Sequence, residues 1–181
     1  NEKGVNIDGK NLLPGSVNNY ELTMDLAKFK GIKVTEQDLA KGFYFVDDYP
    51  EEALDVDTQT FTYKTVDGKT VKGLSAKVYQ SLSEVPENVA TALKANGITP
   101  NGAFVLISAD DPAQFFKDYV ETGTNIVVNA PMKVKEGFAG KYQNKAWQLT
   151  FGQGEATDVV SNNVPKIDPK KDIVISADNR T

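Results

Sequence analysis

Short runs of alternating apolar and polar residues, cut by turn dipeptides, constrain this chain more than any other feature. The run "GKYQNKAWQLTFG" (140–152) puts Tyr142, Asn144 and Ala146 on one face, and "NNYELTMDLAKF" puts Tyr20, Leu22, Met24 and Leu26 on one face. A period of two belongs to half-buried strands and does not fit a helix. "GFYFVDDYP" reads as an apolar strand that runs into two aspartates and is stopped by Pro50. "TQTFTYKTVDGKTVKGLSAKVY" reads as a hairpin around Asp67-Gly68. "GAFVLIS" reads as a buried strand, and further strands are expected near 124–134, 141–151 and 156–161.

Helical patterns are few and short. "TEQDLAKG" has Thr35 as an N-cap and Gly42 after its end. "PENVATALKANG" carries Pro86 in its first turn and Asn96-Gly97 as its stop. "DDPAQFFKDYVETG" is capped by Asp110 or Asp111, opened by Pro112 and closed by Gly123. Asp8-Gly9 and Pro14-Gly15 mark turns near the N-terminus. Roughly eight strands against three short helices predict a mainly β, antiparallel sandwich with helical insertions. Its core is expected to include Tyr20, Leu22, Phe43, Phe45, Val105 and Trp147, and Phe115, Phe116 and Tyr119 read as core at helical spacing. The prolines and lysines of "VPKIDPKKDIVIS" are linker composition followed by a new strand. They divide the chain into a domain over 1–165 and, over 166–181, a link into a following one.

Composition then removes chemistries. The 181 residues contain no cysteine and no histidine. That excludes disulfides, thiolate nucleophiles, Ser-His-Asp triads, imidazole acid–base catalysis and the usual zinc ligands. Twenty-five acids against 20 bases give a net charge of −5, a balance that argues against nucleic acid and anionic membrane as partners. There is no apolar run of membrane-spanning length and no phosphate or dinucleotide loop.

Oxygen-ligated metal, carboxylate pairs and lysine chemistry remain. Asp47, Asp48, Glu51 and Glu52 cluster at a strand end, where acidic residues are usually solvated turn formers. Asp47 directly follows Val46 in the apolar strand and is placed to point inward. A calcium site is a minority option, because no EF-hand spacing occurs. A glycan hydrolase using Asp47 and Glu51 is a further alternative, without a sugar-binding signature to support it. Asn144 has two readings. It is an ordinary amide on an edge or at a bulge, or its carboxamide carbon is the target of a neutral lysine amine, with a buried protonated acid to polarise it.

The stretches "NEKGVNIDGKNLLPGSVNNYELTMDL", "GFYFVDDYPEEAL", "PAQFFKDYVETG" and "VSNNVPKIDPKKDI" resemble the second C-terminal domain of the streptococcal antigen I/II adhesins. Enterococcal aggregation-substance adhesins carry similar domains. The resemblance covers essentially the whole chain. It implies a non-enzymatic, cell-wall-anchored surface adhesin whose stalk is a row of immunoglobulin-like sandwiches of the DEv-IgG type. Each holds an intramolecular Lys–Asn isopeptide bond and a catalytic aspartate, with no cofactor. The family's Tyr-x-Asn pattern falls on Tyr142-Gln143-Asn144, and its V-D-x-x-P strand end falls on Val46 to Pro50, so the resemblance assigns Asn144 and Asp47. The family lysine precedes the N-E-x-G stretch with which this chain begins. Either Lys3 serves, or the bonding lysine is not within this sequence and the bond is absent from it; Lys170 or Lys171 matches the first-strand lysine of the next domain.

Some oral-streptococcal members bind the fimbriae of a periodontal bacterium through the region matching Leu82 to Ser108. Of their V-x-x-L-L and N-I-T-V-K motifs, this chain keeps only Val89, Leu93, Ile98 and Thr99. Weak or no binding to that fimbrial partner is therefore expected. Host glycoproteins or other bacteria, and adjacent domains of the same chain, are the partners the resemblance implies.

Overall fold

The computed structural model describes residues 13–156 and 160–164. The expected turn at Asp8-Gly9, Lys3, Lys170, Lys171 and the link 166–181 lie outside them.

Ten strands form two antiparallel sheets among the described residues. The first sheet is built on β7 (Ile126–Val134). β1 (Val17–Met24) lies along one edge of β7. β3 (Leu54–Val56) and β4 (Thr62–Thr65) share its other edge. The second sheet runs in the order β10 (Val160–Val164), β8 (Gly140–Thr150), β2 (Phe43–Asp48), β6 (Phe104–Ala109), β5 (Leu74–Tyr79). β9 (Gln153–Ala156) returns along the end of β8. The sheets pack face to face as an immunoglobulin-like sandwich, the architecture expected from the alternating runs. Tyr20, Leu22, Phe43, Phe45 and Val105 are buried between them, and Phe115, Phe116 and the partly buried Tyr119 close the same core.

The helices sit where their caps predict. α1 (Glu36–Ala40) opens on a capping box, with the Thr35 hydroxyl accepting from Asp38 N–H and the Asp38 carboxylate accepting from Thr35 N–H. α2 (Glu87–Ala95) begins after Pro86. α3 (Pro112–Phe115) continues as a π-helical turn over Phe116–Val120. Asp111 caps α3 by accepting from Gln114 N–H, while Asp110 accepts from the Ser75 hydroxyl.

Three expectations are corrected. Trp147 is buried, but on the far face of the second sheet. It packs with Val46, Leu106 and Leu149 beneath Val89, Leu93 and Ile98 in a second core that α2 covers. The Asp67-Gly68 turn forms, with Lys64 bridged to Thr70, but its two arms do not continue as a hairpin. Once Val71 is buried, the chain crosses over, so β4 pairs with β7 in one sheet and β5 pairs with β6 in the other. The single strand expected near 156–161 is two strands, β9 and β10, either side of 157–159.

Candidate functional site

Strand parity builds the site. On β2, Phe43, Phe45 and Asp47 point between the sheets, while Tyr44 and Val46 point toward α2. Asp47 lies opposite Ala146 on β8 and Val105 on β6, so it sits on a central strand with a paired neighbour on each side. On β8, Tyr142, Asn144 and Ala146 face the same core. Asn144 is therefore the diagonal neighbour of Asp47, one pleat beyond Ala146, within side-chain reach across adjacent strands. Asp47 is 0% and Asn144 3% exposed.

Asp47 carries a carboxyl in a dry interior. Burial pushes its pKa up from 3.8 to about 7, the Asn144 side chain pulls it partly back, and the charge of Asp48 pushes it up again. The Asn144 carboxamide is near enough to be felt, yet no hydrogen bond of sound geometry closes the contact. Both Asp47 carboxyl oxygens and Asn144 Oδ1 are buried without a partner among the described residues. Each such orphan costs about 1–3 kcal/mol. All three are acceptors while Asp47 is ionised, so none of them can satisfy another. A proton on Asp47 supplies a donor, and donated to Asn144 Oδ1 it draws electrons from the carboxamide carbon. No lysine is buried among the described residues.

Two tyrosines border this pair. Tyr20 Oη and Tyr142 Oη are 2.6 Å apart, joining β1 of one sheet to β8 of the other across the core. Burial raises the pKa of both hydroxyls, Tyr20 further through Tyr142 and the Asp47 charge. Phe138 meets the Tyr142 ring edge-on, with centroids 6.3 Å apart. The sequence placed Tyr20 in the core and Tyr142 in the Tyr-x-Asn pattern, but not their hydroxyls together. The only local signal was that Tyr142 shares a face with Asn144.

The other acidic residues do different work. Asp48 Oδ2 accepts from Asn101 N–H at 3.0 Å, and Glu51 Oε2 accepts from Ala103 N–H at 3.2 Å. Together they fasten the loop ahead of β6 to the end of β2, and no group of three or more acidic side chains is arranged to hold a metal among the described residues. Asp47 is sealed in the core while Glu51 lines an outer groove with Asp48, Glu52, Lys141 and Lys145. Asp47 and Glu51 therefore do not share a cleft, as a hydrolase built on that pair would require. In the region matched to fimbrial binding, Val89 is 8% exposed, and Leu93 and Ile98 are 0%. These three pack in the second core, and of the four only Thr99 lies at the surface.

The family model for the cell surface antigen I/II C2 terminal domain matches residues 1–164. The aggregation substance of Enterococcus faecalis (strain ATCC 700802 / V583) is 32% identical over 181 residues, covering 99% of this chain. The chain spans only 12% of that relative's length. The C-terminal domain of the Streptococcus pyogenes antigen I/II-family protein AspA superposes with a TM-score of 0.80 at 32% identity, over 92% of this chain and 52% of that one. The C-terminal domain of the Streptococcus agalactiae antigen I/II polypeptide BspA gives 0.70 at 28% identity, over 92% of this chain and 50% of the other. By its sequence, its two-sheet fold and these relatives, the chain belongs to the cell surface antigen I/II C2 terminal domain family.

Proposed function

We propose that this domain is a structural and adhesive stalk module of a surface adhesin, anchored to the cell wall through its parent chain. Its chemistry is one self-modification rather than turnover. A lysine amine from the N-terminal segment, Lys3 or a residue ahead of Asn1, attacks the Asn144 Cγ. Protonated Asp47 donates to Asn144 Oδ1 and stabilises the oxyanion that develops there. The Cγ–Nδ2 bond then breaks, ammonia leaves with the amine's proton, and a Lys–Asn amide remains. Burial favours both required forms, an uncharged amine and a protonated acid. The observation that carries this reading is the set of three unpartnered buried acceptors on Asp47 and Asn144, held side by side between the sheets.

The bond would tie the start of the chain to β8. Pulling on the termini would then load a covalent bond instead of strand hydrogen bonds. By analogy with a long-loop disulfide, it would add on the order of 5 kcal/mol of stability. Single-molecule pulling on an N-terminally extended domain tests this. The stretch between the lysine and Asn144 should release no length in the unmutated protein and its full contour in Asn144→Ala. Full release in both would refute the load-bearing role. Host glycoproteins or other bacteria are the partner classes that fit an adhesin. Binding to a panel of them, with residues 86–101 intact or replaced, tests whether this domain makes such contacts itself.

A further inference from the structure

Two Asn-Gly pairs lie five residues apart, Asn96-Gly97 and Asn101-Gly102, and the fold treats them oppositely. At the end of α2, Gly97 N–H donates to Lys94 O, and Asn96 Nδ2 donates to Ala92 O at 2.9 Å. The nucleophile and the leaving amide needed for cyclisation are both occupied. At 101–102 neither is. Gly102 N–H has no acceptor and the Asn101 carboxamide makes no hydrogen bond among the described residues, while both residues are exposed. Gly102 is also fixed as glycine, because its φ is +81° and a Cβ there would strike the Glu51 carboxylate. The fold thus requires the residue that least hinders attack on the preceding asparagine.

We propose that Asn101 is a site of spontaneous deamidation. The Gly102 backbone nitrogen gives up its proton to solvent and attacks the Asn101 Cγ. The Cγ–Nδ2 bond breaks and ammonia leaves, closing a succinimide. Water then opens either carbonyl, giving aspartate at 101 or its β-linked isomer. The net change is one water gained for one ammonia lost, without oxidant or cofactor. The two hydrogen bonds that bracket this peptide, Asn101 N–H to Asp48 and Ala103 N–H to Glu51, give the modification a consequence. The β-linked product lengthens the backbone between them by one carbon, so the two no longer fit together. Either product adds a carboxylate beside Asp48, Glu51 and Glu52. Ageing of the protein thereby loosens the loop that leads into β6 and makes the groove more acidic.

The test incubates the folded chain in mildly alkaline buffer and maps peptides over time, with an isoaspartate-specific methyltransferase as a second readout. Modification at Asn101 should outpace that at Asn96 by about tenfold, a barrier difference of about 1.4 kcal/mol, with methyl label at 101. In denaturant the two sites should react at similar rates. Asn101→Gln should abolish the folded-state label, and Asn96→Gln should leave it unchanged. Equal rates in the folded chain, a faster Asn96, or reaction at 101 only in denaturant would overturn the assignment.

Discussion

Asp47 makes stability fall with pH, opposite to the usual effect of a native carboxylate. An ionised side chain sealed between the sheets is disfavoured, which is why burial lifts its pKa from 3.8 to about 7. Between those values the folded state holds a proton that the unfolded state has released, so stability drops as pH rises. The loss begins near pH 4 and is complete just above pH 7. A displacement of about three pH units at about 1.4 kcal/mol each gives roughly 4 kcal/mol. The perturbation that isolates it is Asp47→Asn, which keeps the shape and removes the titration. Urea unfolding of both proteins across this range measures it. The difference between them should shift steadily against the wild type as pH rises, with unchanged m-values. A wild type that gains stability with pH relative to Asp47→Asn would mean that Asp47 is a carboxylate held by a cation. The neutral-amine mechanism would then fail.

Other perturbations separate the two cores and the polar pair. Tyr142→Phe should cost about 1–3 kcal/mol, because it strips the Tyr20 hydroxyl of a buried partner. A double-mutant cycle with Tyr20→Phe should show coupling of about 1 kcal/mol. Leu93→Ala should cost about 2–5 kcal/mol by opening a cavity under α2, whereas Thr99→Ala at the surface should stay within about 0.5 kcal/mol; chemical unfolding reads both. Thr35→Ala should lose about 1 kcal/mol by removing one half of the capping box, measured the same way.

What could be read in the sequence was what is decided locally. The Thr35 cap, the Pro112 start and the positive-φ glycine after α1 follow from neighbours within one turn. Asp47 could be aimed inward because the period of two continues from Phe43 and Phe45 past the apolar run. The same parity sends Trp147 to the face opposite Asn144, but the sequence did not reveal that a helix covers that face. The Asp67-Gly68 turn was legible, whereas the separation of its arms was not. That separation depends on β7 and β6 competing for them, a contest between distant strands. The Tyr20–Tyr142 contact joins residues 122 positions apart, and no local pattern encodes it. Val89, Leu93 and Ile98 show the converse limit, since a motif match located the residues but not that their side chains turn inward, two on α2 and one just after it.

Fragment mapping of the covalent link tests the central claim most directly. Intact mass alone is ambiguous, because a succinimide at Asn101 and an isopeptide at Asn144 each lose one ammonia. Proteolysis of the N-terminally extended domain, followed by sequencing of the branched fragment in the mass spectrometer, separates them. The account predicts a peptide from the start of the chain joined through its lysine Nζ to the β8 peptide at Asn144, lighter by one ammonia. That species should be absent in Asn144→Ala and Asp47→Ala. An unbranched β8 peptide of full mass in the unmutated protein would contradict the account and leave Asn144 an ordinary strand amide.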